Sequence, residues 1–398
     1  MFRFWSLIIV AAAASVPALV LRFGAGGHPG PGIAALLFGV AILGGAFLLT
    51  WGAEVAEMDI AQGLALAFLA LVAVLPEYAV DLYFAWTAAT HPEYTAYATA
   101  NMTGANRFLI GIAWPLIIVL NWWRSGEREL VLPPTRSVEL LFLTLATAYS
   151  FVLPVKGTIS LLDVVVFVGL FIAYVWRTAH QEHAEPELIG PARAVAALRP
   201  TLRRGVVVVF FVFAAAVILA SAEPFAEALI HVGRNYNVSE FLLVQWLAPL
   251  ASEAPEVVIA CILVMKGDPQ AGMGAMVSSK VNQWTLLVGT LPLVYSLALG
   301  RPGALHLDAR QAQEILLTSA QSLFAIAVLC NLRLSLVEAA LLFALFITQL
   351  LLPSSLARHT FCGIYLVLGA VIMVHQRRPF VRLLRTGLRP PSAAPGGG

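Results

Sequence analysis

Charge is scarce in this chain. Asp, Glu, Lys and Arg make up 12% of its 398 residues, against roughly a quarter in soluble domains, which excludes an ordinary water-soluble globule. Cysteine is scarcer still. Cys261, Cys330 and Cys362 all lie in apolar stretches without metal-ligand spacing, which excludes a disulfide framework and leaves them as packing residues. A formal net charge of only +2 gives no electrostatic case for a nucleic-acid partner. Aspartate-rich diphosphate motifs and His-Glu metal pairs on a helix are missing, so nothing points to an intramembrane enzyme. His180-Gln181-Glu182-His183 has loose metal-ligand spacing, but no further ligand lies nearby. What remains is apolar: 60% of residues are hydrophobic and mean hydropathy is +0.85. Such a chain belongs in a bilayer.

Runs of about 20 apolar residues predict spanning helices. Twelve are expected, over 4–21, 32–56, 60–88, 95–123, 137–154, 158–176, 205–230, 239–265, 271–299, 311–330, 334–352 and 359–376. The fold class is therefore an all-α integral membrane protein. The first run reads as a retained helix rather than a signal peptide, because no clear polar cleavage region follows it. With the N-terminus placed on one side, that side collects 16 of the Lys and Arg residues between spans and the other side 6. The positive-inside rule then puts both termini in the cytoplasm of a cell-membrane protein.

The chain also repeats itself. Ile159-Ser-Leu-Leu-Asp163 matches Leu334-Ser-Leu-Val-Glu338, and Glu139 matches Glu314, both 175 residues apart. Two repeats of five spans follow, over 32–176 and 205–352, joined by a cytoplasmic loop, 177–204. An odd number of spans inverts the second copy relative to the first. An extra helix with its loop (1–31) precedes them, another (353–378) follows, and 379–398 reads as a disordered basic, Pro-Gly tail.

Two proline–glutamate pairs sit deep in apolar runs: Pro76-Glu77 and Pro255-Glu256, 179 residues apart. Proline removes an N–H, clashes with the carbonyl four residues earlier and breaks or kinks a helix. The carbonyls near Val72 and Ala251 then need partners. A carboxylate beside such a break is costly in lipid unless it faces a cavity or an ion. Matching breaks in the two halves mark a secondary transporter with a site at the midplane. Glu77 and Glu256 are the first candidates to hold an ion, since hard cations such as Ca2+ take oxygen ligands. Asp81 lies one turn after Glu77 and Glu253 three residues before Glu256; each reads as a supporting acid or proton carrier. For Asp81, an interfacial place near the helix end is the alternative.

With these pairs the chain resembles the cation/calcium antiporter superfamily, the sodium/calcium exchanger membrane region, over roughly 32–352. The resemblance implies two inverted five-helix repeats and an antiporter that works by alternating access. It exchanges Ca2+ or another cation against Na+ or H+, with no cofactor beyond the transported ions. The family's second motif falls on Thr99–Gly104 and on Ser278–Gln283. Several of its oxygen-bearing residues are replaced: Ala73-Val74 and Ser252-Glu253 precede the two Pro-Glu pairs, Ala100 and Ser279 take the serine position, Asn101 and Lys280 the central asparagine, Gly104 and Gln283 the final Asn/Asp. A second register makes Asn106 and Asn282 equivalent. The carboxylate pair survives while sodium-binding oxygens are lost, which shifts the expectation toward protons.

The expected ion-binding set is therefore Glu77, Glu256, Glu253, Ser252, Ser279, Asn101 and Gln283, with Glu77 and Glu256 as the metal-binding pair. Lys280, Asp81 and Arg107 are expected to compensate charge or couple it. Lys280 is unfavourable at mid-bilayer unless paired, and Glu253 and Glu256 are its expected partners. It would stand in for a bound monovalent cation, release a proton as substrate arrives, or simply lock two helices. Arg107 is expected to pair with Asp81 or Glu77, or to snorkel. Glu54, Glu57, Glu223 and Glu227 fit a vestibule or solvated helix ends. The partners implied are inorganic cations and the bilayer. A non-transporting relative, or one specific for protons or another monovalent cation, is the alternative reading.

Overall fold

The computed structural model describes residues 2–24, 29–59, 75–180, 188 and 190–389. The first half contains α1 (Phe2–Ala13), α2 (Val16–Phe23), α3 (Pro31–Ala56) and α4 (Leu75–Thr87). It continues with α5 (Tyr94–Phe108), α6 (Trp114–Ser125), α7 (Ser137–Ser150), α8 (Val152–Lys156) and α9 (Leu161–Ala179). A short α10 (Pro191–Ala196) lies in the middle loop. The second half contains α11 (Pro200–Tyr236), α12 (Glu240–Lys266), α13 (Pro269–Asn282), α14 (Val288–Leu299), α15 (Ala309–Leu329) and α16 (Leu336–Leu351), then α17 (Ser355–His375) and α18 (Arg377–Leu388). Among the described residues, nine helical segments are long and apolar enough to cross a membrane. Their outer faces expose Val165, Ile172, Val208, Val209 and Val212, as a lipid-facing surface does. Residues 60–74, with Val72 and Ala73-Val74, lie outside the described residues, as do Glu182 and His183.

Two small strand pairs join the halves. β1 (Glu129–Val131) runs antiparallel to β4 (Arg333–Ser335), and β2 (Thr158–Ser160) to β3 (Ala304–His306). A shift of 175 residues carries β1 onto β3 and β2 onto β4, so each pair is the other's repeat copy. The matched Ser-Leu-x-acid sequences are capping boxes at the starts of α9 and α16, in which Asp163 and Glu338 accept the cap residue's own backbone N–H. A π turn follows α5 (Leu109–Ala113) and another follows α13 (Gln283–Leu287). The protein is thus two inverted five-helix repeats with an added helical segment at each end.

α3 and α11, the first helices of the two repeats, pack face to face. Gly45 and Gly52 make the close approach, against Ile218 and Phe211, the small-residue contact that packs helices in lipid. At one end Arg203 grips Asp59 through two hydrogen bonds of 2.8 Å.

Two expectations need correction. α12 is not broken at Pro255: it runs continuously through both Pro249 and Pro255. Pro249 frees the Gln245 carbonyl, and α5 packs directly on it at Gly104, where a Cβ would lie 1.8 Å from that oxygen. The expected disordered tail is also partly a helix, α18. Its apolar face, with Leu383 buried, seats on the helix core; residues 390–398 lie outside the described residues.

The Gly104 contact makes a simple prediction. Gly104→Ala forces α5 and α12 apart and destabilises the protein by about 1–3 kcal/mol, the usual cost of overpacking. Its melting temperature falls below that of a Gly169→Ala control, which meets nothing within 4 Å.

Candidate ion-binding site

α4 and α12 each bring an acidic face to the middle of the molecule. Pro76 and Glu77 are neighbours on α4, and both are buried. On α12, Glu253 and Glu256 lie three residues apart on one face. One carboxylate oxygen from each of Glu77, Glu253 and Glu256 lies within 4.8 Å of the others. Glu77 is 2% exposed and Glu253 is 0% exposed. Three like charges this close, two of them buried, need a cation or protons among them.

α13 supplies neutral groups. Gln283 Nε2 donates to Glu253 Oε1 at 2.5 Å. Unpartnered acceptors remain at Glu77 Oε2, Glu253 Oε2, Gln283 Oε1, Ser279 Oγ and Asn282 Oδ1. The set is made wholly of oxygens, which fits a hard cation and excludes preference for a soft one. Asp81 is fully buried on α4 and faces the Asn101 side chain without a well-aligned hydrogen bond. It is not an interfacial residue.

A cavity of about 370 Å³ reaches Glu256 from one side. Glu54 and Glu57 of the α3 end, Tyr174 and Thr178 of α9, and Ser279 and Asn282 of α13 line it. Its mouth is at the Asp59–Arg203 end of α11. Roughly 36 Å further along that helix, at 1.5 Å per residue, its opposite end carries a hydrogen-bonded cluster. There Tyr83 and Tyr94 both donate to Glu227 Oε1, at 2.6 and 2.5 Å. Tyr97 donates to Glu240, which also accepts from Arg234 Nε at 3.0 Å. Glu223, by contrast, pairs with Arg22 at an exposed position.

Other expected residues lie elsewhere. The Ser252 hydroxyl donates to the Ala248 and Pro249 carbonyls of its own helix. Lys280 does not pair with Glu253 or Glu256. Its Nζ donates to Asn106 Oδ1 at 2.7 Å and lies 4.6 Å from the Trp284 ring centroid. The two π turns are 174 residues apart, and that shift also relates Asn106 to Lys280, so two repeat copies meet across the pseudo-twofold axis. Arg107 pairs with neither Asp81 nor Glu77 and does not snorkel. It is 2% exposed and bonds Glu314 at 2.7 Å. Glu314 also accepts from Gln245 at 3.2 Å and lies 3.7 Å from Arg358. Sequence reasoning used Glu314 only as a repeat marker. Its burial in an apolar helix, opposite an otherwise unpaired Arg107, was the signal available. His180 Nδ1 lies 2.6 Å from the Trp176 carbonyl, within its own helix.

Comparison with known proteins follows this geometry. The family model described as "Sodium/calcium exchanger protein" matches residues 31–179 and 206–354. A crystal structure of the H+/Ca2+ exchanger CAX is 44% identical, with 97% of this chain and 98% of that one covered and a TM-score of 0.93. YfkE is 15% identical, covering 92% and 99%, at 0.62. The sodium-calcium exchanger NCX_Mj is 17% identical, covering 80% and 97%, at 0.53. The last two are likenesses of fold alone. No curated protein sequence matches significantly.

Proposed function

The chain belongs to the sodium/calcium exchanger protein family, and from that membership we propose that it exchanges Ca2+ for protons across a cell membrane. The observation that carries this reading is the convergence of Glu77, Glu253 and Glu256 oxygens within 4.8 Å. Such a cluster is stable in two loadings. Either Ca2+ neutralises it, taking carboxylates and neutral oxygens as ligands, or protons do. Both loadings use the same atoms, so each expels the other, and exchange follows from competition. Asp81, buried behind Glu77, holds a further proton or charge.

The neutral groups argue for protons over sodium. Lys280 Nζ occupies the Asn106 side-chain oxygen, which is then not free for a second ion. Fewer oxygens are left for additional monovalent ions. Access completes the cycle. A cavity reaches Glu256 from the Glu54–Glu57 side, and in this reading the Tyr83–Tyr94–Glu227 network is the gate on the other. Rocking α3 and α11 against the remaining helices would reverse the two. On the positive-inside reading the Glu54–Glu57 side, with both termini, faces the cytoplasm.

Purified protein in liposomes, with proton and sodium gradients varied separately, tests the coupling. A pH gradient is expected to drive Ca2+ accumulation, and a sodium gradient at constant pH is expected to leave it unchanged. Accumulation driven by sodium alone would overturn the proton assignment.

A further inference from the structure

We propose that α18 is a binding surface for anionic lipid headgroups, formed by a row of arginines that have no carboxylate partner among the described residues. A single residue, Gln376, separates α18 from α17. The helix therefore begins where the last membrane-crossing segment leaves the apolar layer. Phe380, Leu383 and Leu384 turn inward onto the helix core. Gly387 lies so close to α7 that a Cβ would come within 2.7 Å of the Ser137 carbonyl. Arg177 of α9 donates to the Gly387 carbonyl at 2.9 Å and to the Arg389 carbonyl, so the far end of the helix is fastened too.

The fastening fixes where the other face looks. Arg378, Arg382, Arg385 and Arg389 recur every three or four residues along it, with Arg377 beside them, and all are exposed. None has a carboxylate within 4.0 Å among the described residues, and no acidic side chain lines the hollow between them. Like charges at this spacing repel and weaken a helix. A helix carrying four of them, with a fifth just past its end, at a bilayer edge calls for external anions. Arginine forks around phosphate oxygens, and anionic headgroups supply phosphate at that level of the membrane. Val381 and Leu388 lie exposed among the arginines. They gain nothing from a dissolved anion but fit the boundary between headgroups and acyl chains. That mixture selects a lipid surface over free phosphate. Through Arg177, the bound lipid steadies α9, whose Tyr174 and Thr178 line the vestibule.

The test is the melting temperature of the full-length protein in detergent micelles doped with phosphatidylglycerol or with phosphatidylcholine. Phosphatidylglycerol is expected to raise it by several degrees more than phosphatidylcholine. R378Q/R382Q/R385Q/R389Q should lower apparent affinity for phosphatidylglycerol about tenfold or more. The corresponding four-lysine variant keeps the charge and should retain most of the effect, which separates lost binding from lost folding. Equal stabilisation by the two lipids, or an unchanged response in the glutamine variant, would refute the surface. So would inorganic phosphate reproducing the whole effect, because the ligand would then be a free anion.

Discussion

Glu77→Gln is expected to abolish Ca2+ transport, and Glu256→Gln to do the same. Glutamine keeps the shape and one oxygen but removes the charge. A full charge next to a divalent ion is worth at least about 4 kcal/mol at an effective dielectric near 20, or roughly a thousandfold in affinity. Glutamine also cannot take up the proton that must replace the ion, so both halves of the cycle fail together. Misfolding is separable from this loss. In the unloaded protein three acids crowd within 4.8 Å, and removing one relieves repulsion. The ion-free variants should melt at or above the wild-type temperature at neutral pH. What disappears is the Ca2+-induced rise, which for wild type reaches about 2.7 kcal/mol at a hundred times the dissociation constant. Normal transport by both variants would show that the cluster is not the ion site.

The acid cluster was legible because proline is a local signal. Pro-Glu inside an apolar run is costly wherever it falls, so a matching pair in two repeats pointed to the middle of the membrane before any coordinates. Glu253 followed from helical spacing, and Gln283 from the position of the family's second motif. The partners of Lys280 and Arg107 were not legible, because each is chosen across the pseudo-twofold by helices far apart in sequence. The nearest acid along the chain is a poor guide when Asn106 and Glu314 arrive from other helices. The break expected at Pro255 failed for a related reason. Proline removes one hydrogen bond, and neighbouring helices can keep the remainder of α12 helical through it. Composition alone marked the tail as disordered. It hid α18 because the apolar half of that helix is only four residues, visible only once α7 offers a surface to receive them.

Glu314→Gln is expected to be the most destabilising change outside the ion site. Arg107 is 2% exposed and Lys280 is 0% exposed, and Lys280 lies near enough to feel the Arg107 charge. Glu314, at 2.7 Å from Arg107, is the acid that compensates them. Glutamine can still receive the Gln245 amide, so the hydrogen-bond geometry largely survives while the counter-charge is lost. Removing one member of a buried pair leaves an uncompensated ion and costs about 3–5 kcal/mol, which should lower the melting temperature well beyond the Gly104→Ala effect. Replacing both members tests the cause. Arg107→Met with Glu314→Gln removes one charge of each sign and should recover most of the loss, since a buried pair exchanged for apolar packing is often neutral. If the double variant is as unstable as Glu314→Gln alone, shape rather than charge holds α5 to α15. If Glu314→Gln melts with wild type, the Arg107–Glu314 contact contributes nothing to stability and the two buried cations must be neutralised by another route.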